Sequence, residues 1–214
     1  MTLRRNAAAA NLAAVLVAVL LMAAALVAAA VVAAGLGPTP AAAEPAASPS
    51  PPGAVAEPAG YRGPPYRAPV PSTLSGAEVL TTDAARALWQ RKAATFVDTL
   101  PTPRRPDKLP EGTLWRPQPR ADIPGSVWLA NTGYDRLSSD MEAYFAAALA
   151  QITGGDPSAP LVFYCLAECW MSWNAAKRAL AAGYDNVRWY PQGTDGWAAA
   201  GLPLEPRHPY ELAP

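Results

Sequence analysis

The chain contains two cysteines, and they sit four residues apart in Cys165-Leu166-Ala167-Glu168-Cys169-Trp170-Met171-Ser172-Trp173. Cys165 directly follows the apolar run Leu161-Val162-Phe163-Tyr164 and precedes a helical pattern. Reactive groups of open α/β sheets gather at the carboxyl ends of strands. A loop leading into a helix also offers unpaired backbone N–H groups, which favour a thiolate over a thiol. Cys165 therefore stands where a nucleophile is expected. Residues four apart on a helical or turn-like backbone have Cα atoms about 6 Å apart, within disulfide range.

Three chemistries are open to such a pair. In the first, Cys165 attacks a disulfide, persulfide or other electrophile and Cys169 resolves the mixed species. In the second the bridge is purely structural, although so short a closed loop stabilises by only about 2 kcal/mol in the chain-entropy picture. In the third, soft thiolates and the Met171 thioether hold Cu(I), with the lone histidine, His208, as a further ligand. Zinc needs four ligands at a spacing the chain does not offer, so no residue is assigned to a metal. Ser126, Ser172 and His208 do not make a hydrolase set. Gly193 and Gly196 read as turn glycines, since the spacing of a phosphate-binding loop is missing.

The elements that must position this segment alternate. Short runs at 77–80, 95–98, 126–130, 161–164 and 187–190 read as strands, and 161–164 as a central one buried on both faces. Thr82 reads as an N-cap before a helix reaching residue 92, and Ser138 or Ser139 caps a helix over 140–152 that Gly154-Gly155 stops. Helices are also expected over 174–182, with Gly183 at its C′ position, and over 194–200. The alternation implies an α/β fold with a mostly parallel sheet covered on both faces. The tryptophans Trp170, Trp173, Trp189 and Trp197 either fill the core or surround the loop as a stacking surface.

This domain is expected over residues 73–207, with 208–214 as a tail. Before it, 44–72 holds 9 prolines in 29 positions and reads as an extended or disordered linker, with Tyr61-Arg62 and Tyr66-Arg67 able to pack on the domain edge. Residues 1–43 read as an export signal or an uncleaved anchor: Arg4 and Arg5 precede an uncharged 25-residue run, and Ala41-Ala42-Ala43 suits a cleavage site. Either reading places the domain outside the cytoplasmic membrane, in the periplasm, with membrane contact only through residues 12–36. A formal charge of zero gives no reason to expect nucleic acid.

The stretch from about 94 to 205 resembles a rhodanese-type domain. Phe96-Val97-Asp98 matches that family's strand ending in Asp, Asp122-Ile123-Pro124-Gly125-Ser126 its His-Ile-Pro-Gly-Ala turn, and Cys165 its sulfur-carrying cysteine. Gly183-Tyr184-Asp185-Asn186-Val187 and Gly193-Thr194-Asp195-Gly196-Trp197 match its tail. The resemblance implies a three-layer rhodanese-like fold and sulfurtransferase-like chemistry. The Cys-x-x-x-Cys-Trp segment is similar to the PQQ-dependent catabolism-associated CXXCW motif proteins. That likeness implies an exported redox or sulfur-handling accessory factor, and a periplasmic quinoprotein dehydrogenase or other redox partner, with no cofactor required by the sequence.

The departures bear on activity. Where active rhodaneses cradle an anionic donor with glycine, arginine and serine, this loop carries Glu168, Cys169, Trp170 and Met171. A carboxylate beside a thiolate opposes thiosulfate by like charge, and Lys177 and Arg178 lie too far along the helix to offset it fully. The readings that stand beside the thiol protein are a non-catalytic partner- or cofactor-binding module and a Cu(I) chaperone.

Overall fold

The computed structural model describes residues 55–114 and 119–213. The expected leader, its cleavage point and the start of the Pro-rich segment lie outside those residues. No helix among the described residues is long and apolar enough to cross a membrane.

In chain order the elements are β1 (Glu78–Val79), α1 (Thr82–Gln90), β2 (Thr95–Asp98), β3 (Arg120–Asp122), β4 (Val127–Trp128), α2 (Ser139–Thr153), β5 (Leu161–Tyr164), α3 (Trp170–Ala181), β6 (Val187–Tyr190), α4 (Gly193–Ala199) and β7 (Glu205–Arg207). The main sheet runs β1-β6-β5-β2-β4, with every pairing parallel. Side chains of a strand point alternately to opposite faces. Leu161 and Phe163 accordingly pack with Phe145, Leu149 and Trp173 of α2 and α3, whereas Val162 and Tyr164 pack with Ala85 of α1 and Trp197 of α4. All four β5 residues are buried, as a central strand between two helical layers requires.

Local signals account for most helix ends. The Ser138 side chain accepts a bond from Met141 N, and Gly154 closes α2 in the left-handed conformation at φ 64°. Helix α1 is capped by Thr81, one residue earlier than expected, because Thr81 is extended and its hydroxyl accepts from Ala84 N. Helix α3 begins at Trp170, well ahead of the expected residue 174. The reason is burial: Trp170 to Ala176 are buried all round, so no polar face marks the helical period.

Strands β3 and β7 pair antiparallel, with Ala121 opposite Pro206, and neither was expected. A strand of three residues beside proline has no periodicity to read, and only the partner strand makes it one.

Residues 55–72 form no helix or named strand, and they are bonded to the residues that follow. Trp170 Nε1 donates to Pro69 O at 3.0 Å, Lys177 Nζ to Pro58 O at 2.9 Å, and Asn174 exchanges two bonds with the Arg62 backbone. Val55, Tyr66, Ala68 and Val70 pack on the core. The tail is held too, by Tyr210 N to Trp128 O at 2.8 Å and Tyr144 OH to Tyr210 O at 2.7 Å. Proline-rich chain needs no sheet of its own when a ready surface supplies donors for its carbonyls.

Trp170, Trp173, Trp189 and Trp197 are all core residues, each at 2% exposure or less, which resolves the choice left open for them. Their ring N–H groups donate to Pro69 O, Thr73 O, Ser172 Oγ and Pro203 O respectively, as buried indoles require.

Candidate functional site

Cys165 immediately follows β5, and Cys169 is the N-cap residue of α3. The two are joined by a disulfide, with Cα atoms 6.1 Å apart. The pair thus lies at the carboxyl end of the central strand, as expected. The helix N-terminus, however, belongs to Cys169 and not to Cys165. Glu168 closes the short ring with a left-handed backbone, φ 52°, and is exposed, so water screens the charge expected to act on the sulfurs.

The loop is anchored from beneath. Cys165 O accepts from Thr194 N at 3.0 Å and lies 3.5 Å from Arg120 Nη2. Ser172 Oγ donates to Cys169 O at 3.1 Å and receives Trp189 Nε1 at 3.0 Å. Asp195 Oδ2 accepts from Ala167 N at 3.2 Å. Gly193 makes the closest approach: its φ is 51°, and a Cβ there would stand 2.3 Å from Cys165 O. Gly193→Ala is therefore expected to push the Cys165 carbonyl away and cost about 1–3 kcal/mol. Urea unfolding with the disulfide intact checks this, and an unchanged midpoint would contradict the close packing.

The disulfide is covered. Cys165 is 0% exposed and Cys169 5%, and Tyr66, Leu100, Tyr134 and Leu166 pack against them together with Met171. Neither a cleft of 620 Å³ beside Trp89, Phe96 and Pro124 nor one of 160 Å³ beside Leu100, Arg120 and Trp128 is lined by a cysteine. No three His, Cys, Asp or Glu side chains form a ligand set among the described residues, and His208 is exposed in the tail.

A charged cluster that sequence reasoning missed lies under the loop. Arg120 Nε donates to Asp98 Oδ2 at 2.7 Å, and its Nη2 donates to Thr194 Oγ1 at 2.8 Å. Asp122 Oδ1 is 3.7 Å from Arg120 Nε. Asp98 and Asp122 are both 0% exposed. Burial, then the hydrogen bond and negative charge of Asp98, raise the Asp122 pKa to about 9. At neutral pH Asp122 is therefore held as the neutral acid close to Asp98, and Arg120 balances the remaining charge. Asp98 was legible as the end of its strand, and a buried carboxylate there demands a cation. Several arginines between 104 and 120 qualified, and only the tertiary structure selects Arg120.

The site and sheet together define an α/β domain with a cysteine loop at the central strand's carboxyl end. The rhodanese-like domain model matches residues 81–200, more than half of the chain, which therefore belongs to the rhodanese-like domain family. No curated protein matches. Among solved structures, the chain is similar to a thiosulfate sulfurtransferase from Pseudomonas aeruginosa (22% identity, TM-score 0.44, 64% of this chain and 22% of that one). It is also similar to the polysulfide-sulfur transferase homodimer of Wolinella succinogenes (21%, TM-score 0.38, 62% and 81%). A third is a single-domain sulfurtransferase from Saccharomyces cerevisiae (19%, TM-score 0.37, 60% and 94%). The chain spans about a fifth of the length of the Pseudomonas protein.

Proposed function

We propose that this protein is an exported rhodanese-like thiol protein that handles redox equivalents or sulfur through Cys165 and Cys169. The observation that carries the reading is the disulfide at the carboxyl end of β5, with one sulfur in the family's sulfur-carrying position. Export is supported by Arg4 and Arg5 ahead of an uncharged apolar run, and the oxidised pair suits that compartment. The Cys-x-x-x-Cys-Trp resemblance supports a link to PQQ-dependent alcohol catabolism, with a quinoprotein dehydrogenase as partner.

Thiosulfate is a poor substrate for this loop. Arg120, beneath the loop, is committed to Asp98 at 2.7 Å, and Arg67, bridged to Cys169, to Asp195 at 2.8 Å, so both are engaged with carboxylates and not with an incoming dianion. Thiol–disulfide exchange asks for no such cradle. In the reduced protein one thiolate attacks a partner's disulfide sulfur, a new S–S bond forms, and the partner's other sulfur leaves as thiolate. The second cysteine then attacks the mixed disulfide, releases the partner as a dithiol and regenerates the internal bridge.

Burial of both sulfurs favours a second reading, a partner-binding module in which the bridge only shapes the loop. Intact mass spectrometry of the secreted protein, with and without reductant, separates the two. The thiol reading expects a chain starting near residue 44, two hydrogens lighter before reduction, that cycles between both forms with a dithiol. A bridge that resists dithiols in the folded protein would overturn it.

A further inference from the structure

The segment that covers the disulfide does so in the manner of a bound peptide. Arg67 forms an antiparallel bridge with Cys169. On either side, Ala68 N donates to Glu168 O at 3.0 Å and Trp170 N donates to Tyr66 O at 2.8 Å. Tyr66 lies against the two cysteines and meets Tyr134 edge-on at 5.4 Å between ring centres. Its hydroxyl donates to Asp135, and Arg67 Nη2 pairs with Asp195 at 2.8 Å. Main-chain bonds, an inserted aromatic ring and one charge pair are the elements by which extended peptides are recognised. Tyr66–Ala68 belongs to no strand of the main sheet, so its release would leave that sheet intact.

Resting on the thiol-exchange reading, we infer that the loop edge at Glu168–Trp170 docks an extended, cysteine-bearing segment of a partner protein, that Tyr66–Ala68 is its competitor in cis, and that Cys169 is the sulfur that exchanges with the partner. Three observations choose Cys169. It is the less buried of the two, its own backbone forms the docking edge, and it caps α3, where the helix dipole favours a thiolate. Cys165 is pinned through its carbonyl by Thr194 and has no exposure, which suits a resolving thiol. The attack expected of Cys165 from the sequence thus passes to Cys169. In the step itself the Cys169 thiolate attacks the partner's disulfide sulfur, that S–S bond breaks, and its other sulfur leaves as thiolate.

The test uses full chains carrying a single cysteine, Cys165→Ser or Cys169→Ser. The probes are the peptide YRGPPYRAPVP with an added cysteine and glutathione, both activated as the same aryl disulfide. The Cys165→Ser chain is expected to be modified about tenfold or more faster than Cys169→Ser, and faster by the peptide than by glutathione. Tyr66→Ala with Arg67→Ala should then raise the rate with both probes, as local opening becomes easier. Arg67 is 64% exposed in its side chain, so Arg67→Ala alone provides a folded control with a smaller rise in rate. Faster modification of Cys169→Ser, or equal rates for peptide and glutathione that ignore the substitutions, would overturn the inference. Dithiothreitol reduction of the unmodified chain reports separately on the redox reading: a bridge that reduces readily while the peptide shows no advantage removes the docking claim alone.

Discussion

Arg120→Met is expected to destabilise the fold by about 3–5 kcal/mol, because it leaves Asp98 fully buried with no cation beside it. The loss should be much smaller in Arg120→Met combined with Asp98→Asn, since removing both charges together removes the desolvation cost with the attraction. Urea midpoints of the two single variants and the double variant measure this coupling. Independent losses that simply add would show that the 2.7 Å contact between Arg120 and Asp98 contributes little. The single variant also frees the Thr194 hydroxyl and the Cys165 carbonyl from their contacts with Arg120, so its disulfide should be reduced faster by a dithiol than that of the parent.

A pH-dependent gain should accompany Asp122→Asn. The folded protein raises the Asp122 pKa from its ordinary 3.8 to about 9, through burial first and Asp98 second. The folded state then holds a proton that the unfolded chain has released. The stability this group contributes is fully present below the unfolded pKa and is lost as pH rises through the folded one. Between roughly pH 4 and pH 9 the loss approaches 1.4 kcal/mol per pH unit as an upper limit. Asparagine has nearly the same shape and carries no proton to lose. The variant should match the parent near pH 4 and exceed it increasingly up to pH 9. Urea unfolding at pH 5, 7 and 9 checks this, and parallel profiles for the two proteins would sink it.

Asp122 also shows how a family resemblance and a structure divide the work. The Asp-Ile-Pro-Gly-Ser turn was recognisable, and it runs from the last residue of β3 to the start of β4. Its carboxyl, standing in place of a histidine, acquires meaning only from Asp98, which shares Arg120 with it, and from its own complete burial. The α/β class was readable because β2, β5 and β6 are short apolar runs and their register follows from alternation, Leu161 facing one layer and Val162 the other. The start of α3 was not readable, since a helix buried on every side carries no amphipathic signal.

By itself the sequence determined what local chemistry decides: strand against helix, a serine cap at Ser138 or Ser139 and a stop at Gly154-Gly155, the strand that delivers Cys165, and a spacing that lets two sulfurs meet. The tertiary structure decided everything that depends on distant residues. It chose Arg120 among several arginines, turned Glu205–Arg207 into a strand, and laid Tyr66–Ala68 across the disulfide. It also began α3 at Trp170, ahead of the expected residue 174, which makes Cys169 its N-cap. Propensity and pattern act over a few neighbours, whereas burial, charge balance and backbone pairing are settled only when segments a hundred residues apart share one surface.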